Sequence, residues 1–248
     1  DKFINILSSN KYDFIFARYL AQAQYLFRNR KIIASKTIVD LDDLDFIKYG
    51  RAIKLEKSLK KKFRKNLNNL FLKNYYRKVS LLDKTLVCSV KDADLLKNYL
   101  NINNVFVIPN VVDVPSLSYK TSLLDEDIFK NKVILFVGRL SYEANIDALD
   151  WLMTSIFPII LKKCPEVKLY IVGSNPTLKI KGFLSSAAVS LFSDVEDISK
   201  FYQDCAIVIV PLRIGGGTRV KILEALAYKR PVVTTTIGAE GLDIINDK

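Results

Sequence analysis

The stretch IVIVPLRIGGGTRVKILEALAYKRPVVTT, from Ile207 to Thr235, decides the fold class. Its apolar beginning predicts a buried parallel strand, and a glycine-rich turn follows. A helical pattern begins at Thr218, and a second strand comes after that helix. The segment therefore predicts a strand–helix–strand unit whose first turn is built from glycine.

That turn suits an anion, because a helix N-terminus offers free N–H groups and partial positive charge. Arg219 and Lys221 follow in the predicted first helical turn, where the helix dipole disfavours cations by roughly 0.3–1 kcal/mol each. A bound phosphate would reverse that penalty. A glycine-rich turn with two solvated cations explains the same pattern, and the local sequence leaves both interpretations open. The loop consists of Gly215, Gly216, Gly217 and Thr218.

Strand and helix patterns alternate along the rest of the chain. Strands separated by helices predict parallel sheets. The predicted strands lie near 13–17, 37–40, 85–89, 105–108, 133–137, 168–172, 188–192, 206–210 and 231–235. The predicted helices lie near 19–27, 53–77, 91–100, 145–164, 196–203 and 218–229.

Composition limits the possible functions. The chain of 248 residues has a net charge of +12, so nucleic acid, acidic lipid and phosphorylated substrates are candidate partners. It contains no histidine, which excludes Ser-His-Asp and Cys-His catalysis by these residues. The three cysteines form no CxxC pair and predict thiols in a reducing, cytoplasmic compartment. No apolar run approaches 18 residues, so no membrane span is expected.

The glycine loop resembles the donor-binding motif of the group 1 (family 4) glycosyltransferases, and most closely a branch that has GGGTR before an LEALA helix. Other motifs follow in the family's order, and ordered motifs are more specific than one glycine loop. They are VILFVGRL at 133–140, LYIVG at 169–173 and FSDVEDISKFYQDCAIVIVPL at 192–212. VFVIPNVVD at 105–113 is similar to the join between the family's two domains.

The resemblance implies an α/β fold of the GT-B type, with two Rossmann-like domains and parallel sheets. Residues 1–115 would form a partial N-terminal, acceptor-side domain. Residues 116–130 would be a linker, and 131–248 the domain that binds the nucleotide-sugar donor. By the same resemblance, the chain is expected to lack the N-terminal strands and the C-terminal end of a whole family member.

The family also implies roles for single residues. Glu224 would accept hydrogen bonds from the ribose hydroxyls of the donor; its alternative is a surface carboxylate paired with Lys221. Arg139, after Gly138, would hold the diphosphate with its guanidinium fork. The family commonly has a lysine six residues later, where this chain has Asn145. Lys221 or Arg219 is expected to replace that charge.

Another family position departs from the pattern. A second glutamate is often found eight residues before Glu224, and here that position is Gly216. The backbone N–H groups of Gly216, Gly217 and Thr218 can donate to phosphate or sugar oxygens but cannot accept a hydroxyl proton. Gly173 and Val195 complete the expected donor site, through a close backbone approach and contact with the base.

Acceptor-side candidates come from the first half of the chain. Asp40, Asp42 and Asp43 follow a predicted strand, where open α/β sheets bind ligands. They could form a metal or acid–base cluster, or a loop with capping aspartates. We expect no metal and no cofactor, and retain Asp43 and Arg18 as acceptor-side residues.

Residues 51–84 contain a long basic helical pattern. We expect its apolar stripe to pack in the core and its lysines to face outward. A solvated surface, an anionic membrane and nucleic acid are the three interpretations. The absence of a nucleic-acid-binding motif disfavours the last. We expect salt-sensitive, peripheral association with the inner face of the plasma membrane.

Taken with the resemblance, the sequence predicts a retaining hexosyl-type glycosyltransferase of polysaccharide biosynthesis. It would transfer a sugar from a nucleotide-diphosphate sugar to a glycan or lipid-linked acceptor. Arg139, Arg219 and Lys221 would stabilise charge on the leaving diphosphate. Two alternatives stay open: a nucleotide-sugar-binding module of the same fold without catalysis, and a charge-driven nucleic-acid binder.

Overall fold

The computed structural model describes residues 2–29, 36–115 and 131–242. They form two compact units. The first comprises Asp1–Asn110 with Gly216–Thr218 and Glu240–Lys248, and the second comprises Val111–Gly215 with Arg219–Ala239. The expected linker, 116–130, lies outside the described residues.

The first unit contains a four-stranded parallel sheet in the order β1-β2-β3-β4. Its strands are β1 (Phe14–Arg18), β2 (Lys36–Asp40), β3 (Lys84–Val87) and β4 (Val105–Val107). Its helices are α1 (Lys2–Ser9), α2 (Tyr19–Asn29), α3 (Asp45–Leu55), α4 (Leu59–Tyr76) and α5 (Val90–Leu100). The short α1 was not predicted from the sequence.

The core of this unit lies between the sheet and its helices. Apolar side chains from alternate strand positions, such as Val39 and Val87, are buried against Leu26 of α2 and Leu96 of α5. The start of α5 is capped, because the Ser89 hydroxyl accepts a hydrogen bond from the Asp92 N–H at 3.1 Å. Helix α5 is therefore stabilised both by burial of its apolar side chains and by a hydrogen-bonded N-terminus.

The basic pattern at 53–77 was predicted as one helix, and this prediction was wrong. The chain forms two helices, and the break falls between Leu55 and Leu59. Ser58 caps α4, since its hydroxyl accepts from the Lys61 N–H at 3.5 Å. Serine favours such a cap over a helix interior, which explains the break.

The expectation that the apolar stripe of this region packs in the core was also wrong. Tyr76 is the one fully buried residue of α4. The apolar side chains that define the stripe are exposed instead: Leu59, Phe63, Leu67, Leu70 and Phe71.

The second unit contains a five-stranded parallel sheet in the order β7-β6-β5-β8-β9. Every residue of the central strand β5 is buried, as expected for a parallel strand covered on both faces. The strands are β5 (Val133–Val137), β6 (Lys168–Gly173), β7 (Val189–Ser193), β8 (Ile207–Val210) and β9 (Val232–Thr234). The helices are α6 (Glu143–Trp151), α7 (Phe157–Lys163), α8 (Leu178–Lys181), α9 (Ser199–Asp204) and α10 (Val220–Ala227).

Three helices of this unit differ from expectation, and one of them, α8, was not predicted. The last one begins at Val220 rather than Thr218, and its buried residues are Ile222 and Ala225. A π-helical turn, Leu152–Ile156, joins α6 to α7. The continuous helix Glu143–Lys163 is, among the described residues, the one that is long and apolar enough to cross a membrane by length and composition. It connects two parallel strands and buries Ala148, Leu149 and Phe157, as a crossover helix does.

Gly173, at the end of β6, allows two loops of the second unit to meet. A Cβ atom at this position would lie 1.8 Å from the Gly138 carbonyl oxygen, so a side chain cannot fit without moving backbone. The Gly138 N–H donates to the Val172 oxygen at 3.0 Å, which holds the loop after β5 against β6. The predicted close backbone approach is confirmed at this position.

We expect Gly173→Ala to lower the free energy of unfolding by about 1–3 kcal/mol or more, because overpacking here displaces main chain. Urea denaturation monitored by circular dichroism would measure it. Gly182→Ala is the matched control, since a Cβ there meets nothing within 4 Å and should change stability by less than about 1 kcal/mol. Equal stability of the two variants would contradict the close approach.

Candidate functional site

The site is located at the carboxyl ends of β5 and β8. From these two neighbouring strands the chain continues toward opposite edges of the sheet: β5 is followed by β6 on one side, and β8 is followed by β9 on the other. Open parallel sheets bind ligands at such a switch point. Gly138 directly follows β5, and the glycine loop follows β8. Both sequence-predicted phosphate loops therefore belong to the place where this fold class binds its ligand.

Lys221, in the first turn of α10, reaches the loop after β5. Its Nζ donates to Asn145 Oδ1 at 3.0 Å, and Asn145 Nδ2 donates to the Arg139 carbonyl oxygen at 2.8 Å. A Cβ on Gly138 would lie 2.7 Å from both Lys221 Nζ and Asn145 Nδ2. The missing side chain of Gly138 thus makes room for an ammonium group beside Asn145.

The environment of this ammonium lowers its affinity for a proton. Burial, followed by the positive charge of Arg219, lowers the pKa of Lys221 to about 7, while Glu224 opposes the shift. The Nζ also lies 5.0 Å from the centroid of the Phe136 ring, a favourable cation–π distance. Lys221 is therefore a cation that a nearby anion would stabilise strongly.

Arg219 is the second buried cation of this group. It precedes α10 and is 9% exposed. A Cβ on Gly215 would lie 2.5 Å from Arg219 Nη2, so this glycine clears space for the guanidinium, as Gly138 does for the ammonium. The interpretation of Arg219 and Lys221 as solvated surface cations is wrong for both.

Glu224 lies one turn after Lys221 on α10. Its Oε2 accepts a hydrogen bond from the buried Tyr202 hydroxyl at 2.8 Å. The Tyr202 ring stacks on Tyr228, with centroids 5.3 Å apart and planes inclined by 9°. Burial, reinforced by the charge of Glu224, raises the pKa of Tyr202, so its hydroxyl stays a donor. Glu224 is therefore oriented by Tyr202, and the alternative of a surface pair with Lys221 is wrong.

Sequence reasoning missed the residues that support this cluster. Tyr202 lies 22 positions before Glu224, and no local pattern connects them. Arg213 donates two hydrogen bonds to the Asp147 carboxylate of α6, from Nε to Oδ2 at 3.0 Å and from Nη2 to Oδ1 at 2.6 Å. Its guanidinium also lies 5.2 Å from the Trp151 ring centroid. This bidentate pair attaches the loop after β8 to α6.

The remaining donor-side candidates are more exposed. The side chain of Arg139 is exposed, and within the described ranges no protein group accepts from its guanidinium. Val195 is half-buried in the loop after β7. The Asp194 carboxylate in the same loop accepts from the Asn175 N–H at 3.4 Å.

The first unit holds the other candidates. Arg18 Nη2 lies 3.6 Å from Asp42 Oδ2. A Cβ on Gly217 would lie 1.9 Å from Asp43 Oδ1, and one on Gly216 would lie 3.3 Å from the Leu44 oxygen. The Thr218 N–H donates to Cys88 Sγ at 3.3 Å. Asp43 is therefore next to Gly217, and a side chain at Gly216 would have little space beside Leu44.

The end of β2 and the loop after it carry closely spaced aspartates, Asp40, Asp42 and Asp43. The described part of the chain contains no group of three or more His, Cys, Asp or Glu side chains that could hold a metal ion. The Asp42 N–H donates to Asp40 Oδ1 at 3.2 Å, as in a loop stabilised by aspartate.

Comparison with known proteins agrees with this geometry. Residues 131–248 match the family model of the glycosyl transferases group 1. An uncharacterized 44.6 kDa protein in the cps region of Klebsiella pneumoniae is 24% identical over 94% of this chain and 60% of its own length. The amylovoran biosynthesis glycosyltransferase AmsD of Erwinia amylovora is 26% identical over 67% of this chain and 47% of its own. The chain thus spans about half to three fifths of these relatives.

Solved structures establish the fold. Sucrose-phosphate synthase of Thermosynechococcus elongatus superimposes with a TM-score of 0.69 and 17% identity, over 96% of this chain and 59% of that one. HepE of Anabaena, in complex with UDP and glucose, superimposes with a TM-score of 0.62 and 19% identity, over 95% of this chain and 62% of that one. The chain has the α/β GT-B fold with two parallel sheets, as the sequence predicted. Membership of the GGGTR branch stays a prediction.

A double-mutant cycle of Tyr202→Phe and Glu224→Ala tests the orienting hydrogen bond. We expect a coupling of about 1 kcal/mol or more in the free energy of unfolding, because the acceptor is charged and the donor is buried. Tyr228→Phe with Glu224→Ala is the control, since the Tyr228 hydroxyl donates to Ser199 Oγ at 2.6 Å instead. Coupling no larger than in the control would exclude the orienting role.

Proposed function

We propose that the whole protein is a glycosyltransferase that transfers a sugar from a nucleotide-diphosphate sugar to a glycan or lipid-linked acceptor in polysaccharide biosynthesis. The observation that carries the proposal is that Lys221 lies beside Gly138 after β5, and Arg219 beside Gly215 after β8. Glu224 follows on the same helix as Lys221. Two cations and one carboxylate within the six residues from Arg219 to Glu224 match a diphosphate followed by a ribose. The relatives in a cps region and in amylovoran biosynthesis support polysaccharide as the product class.

Lys221 would hold the diphosphate in place of the family lysine that this chain lacks. Asn145 occupies that family position, and its Oδ1 accepts a hydrogen bond from the Lys221 ammonium. The positive charge beside the loop after β5 is therefore supplied by α10 rather than by position 145. Arg139, whose side chain is exposed, would close on the phosphates with its planar fork. Arg219, whose guanidinium lies beside Gly215, would add positive charge at the glycine loop.

Glu224 would bind the ribose. Tyr202 uses one lone pair of Oε2, and a carboxylate has about four acceptor sites, so the rest of the group can accept two adjacent hydroxyls. A fixed carboxylate favours this contact, because less side-chain freedom is lost on binding.

We propose retention of the anomeric configuration on the basis of the resemblance to the family. The residues at the site would act electrostatically: the cations would stabilise negative charge that builds on the leaving diphosphate. We propose no metal or cofactor for this step, since Lys221, Arg139 and Arg219 supply positive charge at the phosphates.

The roles of Lys221 and Glu224 are separable by ligand. In calorimetry with the full-length protein, Lys221→Met should weaken both pyrophosphate and nucleoside diphosphate by about tenfold or more, through a lost charge-assisted hydrogen bond. Glu224→Gln should weaken only the nucleoside diphosphate. Lys200→Met, at an exposed position of the same unit, is the control. If both variants lost affinity for pyrophosphate and for nucleoside diphosphate to the same extent, the assignment of Lys221 to the diphosphate and Glu224 to the ribose would be contradicted.

Binding should also depend on pH. With a pKa of about 7, Lys221 of the free protein is mostly neutral at pH 8, and a bound diphosphate favours its charged form. Nucleoside diphosphate affinity should therefore fall as pH rises above 7, and binding at pH 8 should take up a proton. Calorimetry in buffers of different ionisation enthalpy measures this uptake. Lys221→Arg should bind without it, since arginine stays charged, and uptake equal to the wild type in that variant would exclude Lys221 as its source.

One observation favours a second function, a nucleotide-sugar-binding module without catalysis. Gly216 stands where the family often has a carboxylate, and the Leu44 carbonyl leaves little space there. An assay of donor hydrolysis and sugar transfer with the full-length protein distinguishes the two. Donor binding without either reaction, on glycan and lipid-linked acceptors alike, would favour the module.

A further inference from the structure

Helix α4 turns its apolar side to solvent. Leu59 is 82% exposed, Phe63 74% and Phe71 64%, and Leu67 and Leu70 are also exposed. At about 100° per residue these five side chains occupy one arc of the helix, roughly a third of its circumference. We call this arc the α4 stripe.

The opposite side of α4 faces the protein. Tyr76 is fully buried, and its ring packs edge-on against Phe46 with centroids 5.0 Å apart. Lys65 and Asn69 are half-buried on the same side, and Lys65 Nζ bonds Glu56 Oε2 at 2.9 Å. A helix that covers a core has its apolar face inward. Near its end α4 follows this rule, since Leu72 and Tyr75 also pack against the core, but the α4 stripe lies outside the core and is available to a partner.

The charge around the stripe identifies the partner. Six of the 18 residues of α4 are lysine or arginine, and no carboxylate occurs from Lys57 to Leu82. By helical geometry Arg64 borders the stripe on one side, and Lys62 and Lys73 border it on the other. Lys60 lies within the stripe, between Leu67 and Phe71. Lysine is depleted at protein–protein interfaces, whereas leucine and phenylalanine flanked by lysine and arginine are typical of helices that lie in a membrane surface.

We propose that α4 lies in the surface of an anionic bilayer, with the α4 stripe inserted at the level of the headgroups and the bordering cations on acidic lipids. The apolar stripe adds a component of binding that salt does not screen. This differs from a purely electrostatic patch, whose binding would disappear at high ionic strength. The proposal is independent of nucleotide binding, which belongs to the second unit.

The first test is sedimentation of the full-length protein with phosphatidylcholine vesicles, with and without phosphatidylserine. We expect strong binding to the anionic vesicles that weakens, but persists, from about 0.1 M to about 1 M salt, where the screening length falls from about 10 Å to about 3 Å. Phe63→Ser with Phe71→Ser should lower vesicle affinity about tenfold or more. Ile159→Ser with Leu178→Ser, exposed apolar positions in the second unit, should leave it unchanged.

A second set of variants distinguishes insertion of the α4 stripe into the bilayer from electrostatic attraction of its cations to acidic lipids. Lys60→Gln with Arg64→Gln should lower affinity for anionic vesicles about tenfold, since each basic residue near the surface contributes to binding. Tryptophan introduced as Phe63→Trp should shift its emission to the blue with anionic vesicles. All substituted side chains are exposed, so circular dichroism should confirm an unchanged fold.

Three results would overturn the proposal. The first is no binding of the wild type to anionic vesicles at low salt. The second is loss of binding from both serine pairs alike, or no emission shift. The third is a concentration-dependent dimer, seen by sedimentation velocity, that the Phe63 and Phe71 substitutions abolish, because the α4 stripe would then be covered by a second copy.

Discussion

The burial of a positive charge beside the central strand of the second sheet is the constraint on which the candidate site depends. An ammonium removed from water is costly unless other groups compensate it. Lys221 has an amide oxygen from Asn145, an aromatic face from Phe136 and a carboxylate one turn away at Glu224. These groups compensate it only in part, as the lowered pKa indicates, and the uncompensated part is what an incoming anion would use.

Several features of the second unit follow from this arrangement. Gly138 and Gly215 lack side chains where a Cβ would collide with Lys221 or Arg219. Gly173 lets the loop after β5 approach β6. The Arg213–Asp147 pair attaches the loop after β8 to α6. Together these contacts hold the loop after β5 and the loop after β8 on rigid elements, and a ligand at the proposed donor site would lose less entropy on binding for that reason.

The first unit has a different organisation. Tyr76 anchors α4 by its ring on Phe46, and its hydroxyl accepts a hydrogen bond from the Asp45 N–H at 2.9 Å. The loop that carries Asp43 is thus fixed by the same residue that orients α4. Leu72 and Tyr75 pack against the same core, so the contacts of α4 are concentrated near its end and its earlier apolar side chains stay exposed. The loop of the acceptor-side candidate Asp43 and the exposed surface of α4 are therefore both positioned by Tyr76.

The sequence by itself determined the fold class and most of the elements, because hydrophobic periodicity and glycine turns are local signals. Glu224, Lys221 and the glycine loop could be selected from motif spacing alone. Tertiary structure decided what each residue does. Whether Lys221 pairs with Glu224 or Asn145 depends on a contact across 76 positions, and Tyr202 reaches Glu224 across 22. The direction of the α4 stripe was also beyond the sequence, because periodicity shows that a helix has an apolar face but not which side the protein covers.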